Sequence, residues 1–513
     1  VTDGASPLSG VTVFGNQTPT QPTMFNPTSN FSAITNSTGQ IPTQILTEFM
    51  VNGTYQNNNT LRFTNYTVNA SLTQYAASSA VVNLTESKSI TISLSTTNLV
   101  CNLNTGVCND TIQKAINNAN NYDTISIVVL RDYNESIVIN KSVTLTSNTS
   151  AFPTVFTDVF NATATNATIN ITASSVTISK VNVKYNGTGI QTAAISIGNA
   201  TNVTIQNLAA STVYGKSSNY GIYLYNATNS TIANVTINAN GTGIRNIGIY
   251  MAQNSNRNSI QNASVIANGS SEIYGIYLSS SGNNTISGSK FVSSGWFNSS
   301  YGAWLQASSG NAFDGVSVFS NGTSGNRGLL INASSTGNTF SGASIFASGR
   351  NGSSDAIRIE YGSDNNYFIN ATAIANTTQS FGIYIGSGNS TFIDANISST
   401  FYPDIFLNGT IAQKPNFFIN VSFNKSDVNA TAASVATKLF IQYRFDATVT
   451  DGASPLSGVT VFGNQSHYKL HRPDTNANPH RVHGQRHVSE QQYIAFHQLH
   501  GERVVKRIYC KLH

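Results

Sequence analysis

The chain has 513 residues, of which only 9% are charged, against about a quarter in ordinary soluble domains. No stretch approaches the ~20 consecutive apolar residues of a membrane-spanning helix, so we expect no membrane span. A net charge of +5 would be consistent with a nucleic-acid partner. However, all of it lies in residues 466–513, which hold eight Lys/Arg and three Asp/Glu. We therefore expect no nucleic-acid partner.

Asn-X-Ser/Thr sequons occur about 38 times along the sequence. Abundant Asn, Ser and Thr alone would give fewer than half that number, so the pattern favours a secreted, N-glycosylated protein at a cell surface. The alternative is that the sequons only reflect this composition. Candidate glycosylation sites are Asn52, Asn65, Asn134, Asn226, Asn240, Asn298, Asn332 and Asn408.

Residues 1–97 contain short β-prone runs separated by Gly, Asn and Pro turns, a pattern that predicts a β-sandwich. The segment Pro7-Leu-Ser-Gly-Val-Thr-Val resembles Ig-like, carboxypeptidase-regulatory-like modules of surface proteins. Those modules usually begin with one more strand, which the resemblance implies is missing before Val1.

Cys101 and Cys108 are separated by six residues in the segment 98–110. In an extracellular chain this spacing predicts a disulfide that closes a small loop, and we expect this segment to be a linker. Free buried thiols are the alternative.

From Thr111, the spacing of Ile112, Ala115, Ile116 and Ala119 predicts a short amphipathic helix. Strand-like segments follow it, beginning at Asp123, Tyr133 and Lys141. This helix and its strands resemble the amino-terminal cap of pectin-lyase-like right-handed β-helices.

A short phrase then recurs every 26–28 residues: a small residue followed by alternating apolar and polar positions. A fixed period indicates that each unit buries its apolar face against its neighbours, and the alternation indicates a strand. The phrase begins at Ala194, Gly221, Gly248, Gly275, Gly302, Gly328, Ala356 and Gly382.

The sequence therefore predicts an all-β protein whose residues 111–437 form a parallel β-helix of about ten coils, preceded by the Ig-like sandwich. The repeats resemble those of NosD-like periplasmic proteins and of many archaeal surface proteins. The resemblance implies a right-handed helix, and it leaves activity open because lyases, hydrolases, adhesins and binding proteins share this fold.

Within each phrase, the first and third positions after the small residue are predicted to point inward, as in Ile222/Leu224 and Ile276/Leu278. An asparagine follows seven to ten residues after the small residue, and we expect these side chains to form a buried ladder. Surface turns are the alternative. The ladder candidates are Asn202, Asn229, Asn258, Asn284, Asn311, Asn338 and Asn366. Because of this expected burial, we predict that Asn202 and Asn229 remain unglycosylated despite their sequons.

The middle position of the phrase is predicted to point outward, where aromatic residues would align as a flat exposed stripe. Such a stripe suits carbohydrate rings, whereas the alternative is that the aromatics only stack and stiffen the sheet. The candidate carbohydrate-binding residues are Tyr223, Tyr250, Tyr277, Trp304 and Tyr384.

Enzymatic chemistry has one candidate location, the group Asp355, Arg358, Glu360 and Asp364. We predict no catalytic residues, metal or cofactor, and favour a structural or adhesive surface protein that binds carbohydrate or other surface components and self-associates in arrays. The alternative is a polysaccharide lyase or glycoside hydrolase.

Val1–Gln17 recurs unchanged at Val449–Gln465, so residues 438–465 are predicted to begin a second Ig-like module. The two copies then diverge abruptly. Back-translation of the first copy in a shifted frame reproduces Ser466–Val505 with permissible codons. We therefore predict that residues 466–513 are a frameshifted, disordered tail, which removes a metal-binding role for its eight histidines: His467, His471, His480, His483, His487, His497, His500 and His513.

Overall fold

The computed structural model describes most of the chain up to residue 457. The residues outside the description are 5, 18–29, 55–56, 63–64, 73–74, 96–98, 158–166, 188–189, 214–216, 298, 350–351, 353, 409–413, 432–437, 451 and 458–513. The predicted frameshifted tail and one candidate glycosylation site, Asn298, therefore lie outside the described residues.

Each repeat winds through one complete coil and places one strand in a twelve-stranded parallel sheet. Alternation of apolar and polar residues forms these strands, because one side of each faces the interior of the coil. They are β11 (Ile137–Ile139), β14 (Ala167–Ile171), β17 (Ile190–Gly198), β19 (Ser217–Tyr225), β21 (Ile247–Ala252), β24 (Ile273–Ser279), β27 (Ser300–Gln306), β30 (Arg327–Asn332), β33 (Asp355–Ile359), β36 (Ile383–Ile385), β39 (Ile405–Leu407) and β41 (Val428–Ala430).

The remainder of each coil contributes one long or two short strands to a 24-stranded sheet that bends around the other sides. Its strands are β7 (Val100–Asn102), β8 (Cys108–Asn109), β9 (Thr124–Ile127), β10 (Tyr133–Asn134), β12 (Thr144–Ser147), β13 (Thr154–Thr157), β15 (Thr177–Ser179), β16 (Asn182–Tyr185), β18 (Thr204–Val213), β20 (Thr231–Asn240), β22 (Ser259–Gln261), β23 (Ser264–Gly269), β25 (Thr285–Ser287), β26 (Lys290–Gly295), β28 (Ala312–Asp314), β29 (Ser317–Gly322), β31 (Thr339–Ser341), β32 (Ser344–Gly349), β34 (Tyr367–Ile369), β35 (Thr372–Asn376), β37 (Thr391–Ile393), β38 (Asn396–Ser399), β40 (Asn416–Ile419) and β42 (Leu439–Gln442). The predicted all-β parallel β-helix is confirmed.

The interior of the solenoid is filled by columns of like side chains, one per coil. Ile222 pairs with Ile249 and Ile249 with Ile276, and all three are fully buried. The predicted inward positions are thus confirmed. A second column, opposite, holds stacked phenylalanine rings: Phe340 and Phe368 have centroids 5.0 Å apart, and Phe368 and Phe392 4.4 Å. Each buried large apolar side chain contributes about 1.5–3 kcal/mol to folding.

The small residue of the phrase is required because the two sheets approach each other closely there. A Cβ atom at Gly275 would lie 2.5 Å from the carbonyl oxygen of Gly302 and 2.9 Å from Cβ of Phe291. At Gly221 it would lie 2.2 Å from the Ile237 side chain. Where the repeat carries alanine instead, at Ala194 and Ala356, that residue is fully buried.

An asparagine ladder runs along one inner corner, formed by Asn258, Asn284, Asn311, Asn338 and Asn366. Each of the first four donates its backbone N–H and its side-chain Nδ2 to Oδ1 of the next, as in the 2.9 Å and 3.0 Å bonds from Asn311 to Asn338. Nδ2 of Asn311 also donates to the carbonyl of Ser281. Because each amide can donate and accept, the ladder satisfies buried backbone groups that the turn leaves unpaired. The predicted ladder is confirmed over these five coils.

The ladder prediction is wrong for Asn202 and Asn229, which are exposed turn residues with positive φ. The corner positions in their coils are Val203 and Ser230, and the backbone N–H of Ser230 donates to Oδ1 of Asn258. Because these two asparagines are exposed, burial gives no reason to predict that their sequons remain unglycosylated. A parallel serine ladder, absent from the sequence prediction, runs nearby through Ser281, Ser308, Ser335, Ser363 and Ser387.

The amino-terminal end of the solenoid is closed by a short helix and a hairpin. The helix α1 (Ile112–Asn118) buries Ile112, Ala115 and Ile116, as predicted. Its first N–H groups donate to both carboxylate oxygens of Glu135 at 3.0 Å, an arrangement that the positive end of a helix favours.

The disulfide between Cys101 and Cys108 joins the two strands of the hairpin. The predicted linker at 98–110 is corrected here, because β7 also pairs with β9 and Val100 lies in the solenoid core.

Residues before the solenoid form an antiparallel sheet in the order β2-β1-β5-β6, with a separate pair β3-β4. The strands are β1 (Thr12–Gln17), β2 (Phe31–Ile34), β3 (Phe49–Thr54), β4 (Asn57–Arg62), β5 (Asn65–Ser71) and β6 (Ser78–Asn83). Val11, Val13, Val68 and Leu94 are among the residues of a small separate core. The Ig-like character of this region remains a prediction.

At the other end, β42 pairs in parallel with β40 and so belongs to the last coil. The predicted boundary at 437/438 is corrected to 442/443, where a second unit, Tyr443–His513, begins. The repeated sequence adopts the same turn in both places, since Thr2 bridges Pro7 and Thr450 bridges Pro455. One 3₁₀ helix, Lys425–Asp427, precedes β41. Among the described residues, no helix has the length and apolarity needed to cross a membrane.

We expect Asn311→Ala to destabilise the solenoid by about 1–3 kcal/mol, because two donors of Asn284 lose their acceptor inside the corner. Thermal unfolding followed by circular dichroism measures the effect. Asp314→Ala, at an exposed position of the same coil, is the control. Equal unfolding temperatures for the two variants would contradict a stabilising ladder.

Gly275→Ala is expected to lower the unfolding temperature, since overpacking at a closely approached backbone costs about 1–3 kcal/mol. Gly198→Ala is the matched control, because a Cβ atom there meets nothing within 4 Å. If Gly275→Ala were tolerated as well as Gly198→Ala, close approach of the sheets would not explain the glycine of the repeat.

Candidate functional site

The aromatic residues singled out by the sequence lie on the outer side of the twelve-stranded sheet. Tyr223, Tyr250, Tyr277 and Trp304 are paired residue to residue across four consecutive coils. Tyr384 shares their column three coils further on, after Leu330 and Arg358. The structure therefore brings four of the five predicted residues together and separates the fifth.

A second outward column, which the sequence analysis missed, lies beside the first: Tyr220, Ile247, Tyr274 and Tyr301. It is formed because Gly275 and Ile276 both lie against the interior, so that the residues on either side, Tyr274 and Tyr277, both face outward. Strict alternation cannot reveal such a column. The recurring aromatic residue directly before the glycine was the available signal.

Together the rings form one continuous surface, which we call the aromatic shelf: Tyr220, Tyr223, Tyr250, Tyr274, Tyr277, Tyr301 and Trp304. Within a column the rings are nearly parallel, with centroids 4.9 Å apart for Tyr250 and Tyr277 and 4.3 Å for Tyr277 and Trp304. Between columns they meet edge to face, as do Tyr274 and Trp304 at 5.1 Å. These are the favourable geometries for aromatic pairs.

The stacking corrects the predicted stripe of flat exposed rings. Parallel rings lying side by side in one plane would clash at these distances, so neighbouring rings contact each other through their faces. The partly exposed rings of the shelf consequently present edges and polar atoms to solvent, whereas Tyr220 and Tyr274 are buried. Tyr223, Tyr250, Tyr277 and Trp304 are half-buried, and Tyr384 is only 7% exposed.

Burial and hydrogen bonds affect several polar atoms of the shelf. Burial raises the pKa of Tyr277 to about 12, and it also raises the pKa of Tyr223 and Tyr274. The Tyr277 hydroxyl donates to the Gln306 amide oxygen, and Nε1 of Trp304 donates to Oδ1 of Asn332 at 3.0 Å. A row of phenol and amide groups thus borders the shelf, able to donate and accept hydrogen bonds.

Directly after the shelf, the same face carries a charged cluster of Arg327, Asp355, Arg358 and Glu360. Arg327 lies over the Tyr301 ring at 5.3 Å and donates to its hydroxyl at 3.1 Å. Arg358 donates to Asp355 at 3.0 Å and to Glu360 at 2.5 Å. Its guanidinium lies 3.7 Å from the centre of the Tyr384 ring.

Asp355 is the buried centre of this cluster, with 1% of its side chain exposed. Burial raises its pKa, while Arg358, Arg327 and the Phe381 N–H at 3.2 Å act in the opposite direction. The carboxylate of Asp355 therefore forms a hydrogen-bonded ion pair with Arg358. Desolvation, the largest single effect, lowers the pKa of Arg358, but the bonds to Asp355 and Glu360 together raise it further, so the pKa is raised overall.

These contacts argue against Asp355 as a general acid or base, because a carboxylate enclosed by two donors does not reach a substrate in this conformation. The fourth member of the sequence group, Asp364, lies in the turn after β33, where it accepts the N–H of Gly388 at 2.9 Å. In the described part of the chain, no three His, Cys, Asp or Glu residues form a group able to hold a metal ion.

The described candidate glycosylation sites are mostly on the surface. Asn65, Asn134, Asn226 and Asn240 are exposed. Asn332 and Asn408 are half-buried and hydrogen bonded to shelf-face aromatics, Asn332 to Trp304 and Asn408 to Tyr384. The side chain of Asn52 is outside the description.

Residues 167–345 match the family model described as "Right handed beta helix region". The solenoid is a right-handed parallel β-helix. The comparison with curated proteins found no match.

Among solved structures, the mannuronan C-5 epimerase AlgE6 A-module of Azotobacter vinelandii is 10% identical, covers 66% of this chain and 95% of its own, and has a TM-score of 0.38. The Dettilon tailspike protein is 12% identical over 61% of this chain and 63% of its own, with a TM-score of 0.42. The Agl-KA catalytic domain is 15% identical over 59% and 63%, with a TM-score of 0.35.

Asp355→Ala is expected to destabilise the β-helix by about 3–5 kcal/mol, because it removes a buried partner of Arg358. Glu272→Ala breaks the exposed Arg245–Glu272 pair on the same face, and its cost should stay below about 1 kcal/mol. Thermal unfolding of both variants measures the difference. Similar shifts in the two would show that burial of Asp355 has no structural consequence.

Proposed function

We propose that this protein is an extracellular, N-glycosylated structural and adhesive component of a cell surface, and that its aromatic shelf contacts carbohydrate. The observation that supports this proposal is the shelf itself, seven contacting aromatic rings over four coils on the outer side of the twelve-stranded sheet, five of them partly exposed. Many outward-facing rings on a soluble solenoid need a structural or a binding reason.

The structural part of the role follows from ladders along the axis. Phenylalanine, asparagine and tyrosine columns each connect one coil to the next. Such columns stiffen a rod that projects from a surface, because separating any two coils breaks stacking and hydrogen bonds on several sides at once. A structural surface protein needs this property and no catalytic group.

Carbohydrate suits the outer face because the shelf offers both kinds of contact that sugars use. Ring edges supply apolar area, and neutral phenols with the amides of Gln306 and Asn332 supply donors and acceptors. The sugar hydroxyls would exchange water for these groups, while the C–H surface of the sugar would pack on the rings.

The alternative function, a polysaccharide lyase or glycoside hydrolase, rests on the charged cluster. Asp355 and Glu360 both bind the same guanidinium. Paired carboxylates in a glycosidase instead flank the scissile bond, one of them protonated. The geometry therefore favours binding over hydrolysis at this face.

The double variant Tyr277→Ala/Trp304→Ala tests the shelf, with binding measured on an array of neutral and acidic polysaccharides. We expect at least a tenfold loss of affinity, since aromatic anchors dominate such surfaces. The control is Phe319→Ala/Phe346→Ala, which removes another stacked ring pair, 4.9 Å apart, from a different face.

Circular dichroism must show that both variants keep the β-helix. Wild-type binding by the shelf variant would leave the shelf only its stiffening role. Equal losses in the two double variants would indicate that binding depends on overall stability.

A further inference from the structure

A second outward-facing apolar column lies on the 24-stranded sheet, away from the shelf. We call it the lateral stripe: Ile266, Val292, Phe319, Phe346 and Ile374, each in register with the next. The Phe319 and Phe346 rings stack at 4.9 Å, and Nζ of Lys290 lies 5.4 Å from the Phe319 ring centre. Ile266 is 38% exposed and the others are half-buried.

Sequons border this stripe in a fixed position, two residues further along the same strands. Register places Asn268, Ser294, Asn321, Ser348 and Asn376 in one column. Its three asparagines all head sequons, Asn268-Gly-Ser, Asn321-Gly-Thr and Asn376-Thr-Thr. Side chains two residues apart on a strand share a face, so these asparagines stand beside Ile266, Phe319 and Ile374.

The spacing of the sequons suits attached sugars. Asn321 and Asn376 occur on alternate coils with a serine between, and both are exposed. Alternate coils are about 10 Å apart at the usual strand spacing, which leaves room for one oligosaccharide beside the next. Asn268 directly follows Asn240, another sequon asparagine, and donates to it at 2.9 Å. These two are about 4.8 Å apart, too close for two oligosaccharides, so there is room on at most one of them.

Sequons also occur along the shelf column. Sequon asparagines occupy this column at Asn170 and Asn429, in the coils beyond its two ends. Between them the column reads Ser196, Tyr223, Tyr250, Tyr277, Trp304, Leu330, Arg358, Tyr384 and Phe406. Two residues further along the same strands, the sequon asparagine Asn332 is in register with Gln306 and accepts a hydrogen bond from Trp304, so sequons border both apolar columns.

We propose that Asn321, Asn376 and one of Asn240 or Asn268 carry N-linked oligosaccharides that lie over the lateral stripe and cover it. The occupant of this apolar face is then the chain's own glycan, whose first sugars pack their C–H surfaces on Phe319 and Phe346. The inference rests on the glycosylation part of the proposed function.

Glycopeptide mass spectrometry of the protein from its native surface tests occupancy. We expect sugar on Asn321 and Asn376, and on one of Asn240 and Asn268 in any one molecule. Unmodified Asn321 and Asn376 would overturn the proposal. A dimer of the unmodified protein, broken by Phe319→Ser, would show that a second copy covers the stripe instead.

Asn321→Gln/Asn376→Gln, produced in a glycosylating host, tests the covering. We expect a several-fold rise in fluorescence of a dye that binds apolar surface, and a lowered unfolding temperature. Asn65→Gln removes an exposed sequon of the first sheet and is the control. If both variants bind the dye equally, the glycans do not cover the stripe. Polysaccharide binding by the shelf should be unchanged in both, so failure here is distinguishable from failure of the shelf proposal.

Discussion

Register between successive coils is the constraint on which the rest of this structure depends. Each side chain contacts its counterpart in the next coil at about the strand spacing of 4.8 Å. A column is therefore stable when identical or similar side chains pack well against each other. Like charges in such a column would repel, which gives a physical reason for a chain with only 9% charged residues. On the twelve-stranded sheet, Arg327 pairs in register with Asp355 of the next coil, so these two charges attract each other.

The neutral side chains that remain satisfy this constraint in different ways. An asparagine amide can donate and accept hydrogen bonds at the same time, so the ladder is continuous from Asn258 to Asn366. It stops at Ser390, whose hydroxyl is buried without a partner, although its backbone N–H still donates to Asn416. The phenylalanine column Phe340, Phe368 and Phe392 fills the interior, where no polar group needs a partner, and the shelf tyrosines lie on the outer side, where the Tyr277 hydroxyl reaches a neighbouring amide. A defect in any one coil therefore affects both neighbours through every column.

Much of this architecture could be predicted from the sequence, because a 27-residue period and an alternating phrase determine which side chains share a column. The interior columns and five ladder asparagines follow directly. Asn202 and Asn229 lie eight residues after the small residue, whereas Asn258 and Asn311 lie ten and nine after it. Val203 and Ser230 occupy the corner position in those two coils. The predicted spacing of seven to ten residues was too broad, because it also included the turn residues Asn202 and Asn229.

The parts that could not be predicted depend on local departures from alternation. The bend at the glycine turns two successive residues inward, which moves Tyr220 and Tyr274 to the outside beside the predicted column. No pattern of period two contains that information. Burial of Asp355 is a similar case, since it lies three residues before Arg358 and no sequence pattern shows that the neighbouring coils enclose it.

The stacking of the shelf also limits how a sugar can approach it. A ring in the middle of a stack has both faces occupied, so its edge and hydroxyl are what it offers. At one end Leu330 follows Trp304, and this leucine is itself only 5% exposed. At the other end the preceding coil places Ser196 opposite Tyr223, and a serine covers less of a ring face than an aromatic side chain does. A sugar that stacks on a ring face would therefore bind at the Tyr223 end, while one that uses hydrogen bonds would lie along the edges between Tyr250 and Trp304.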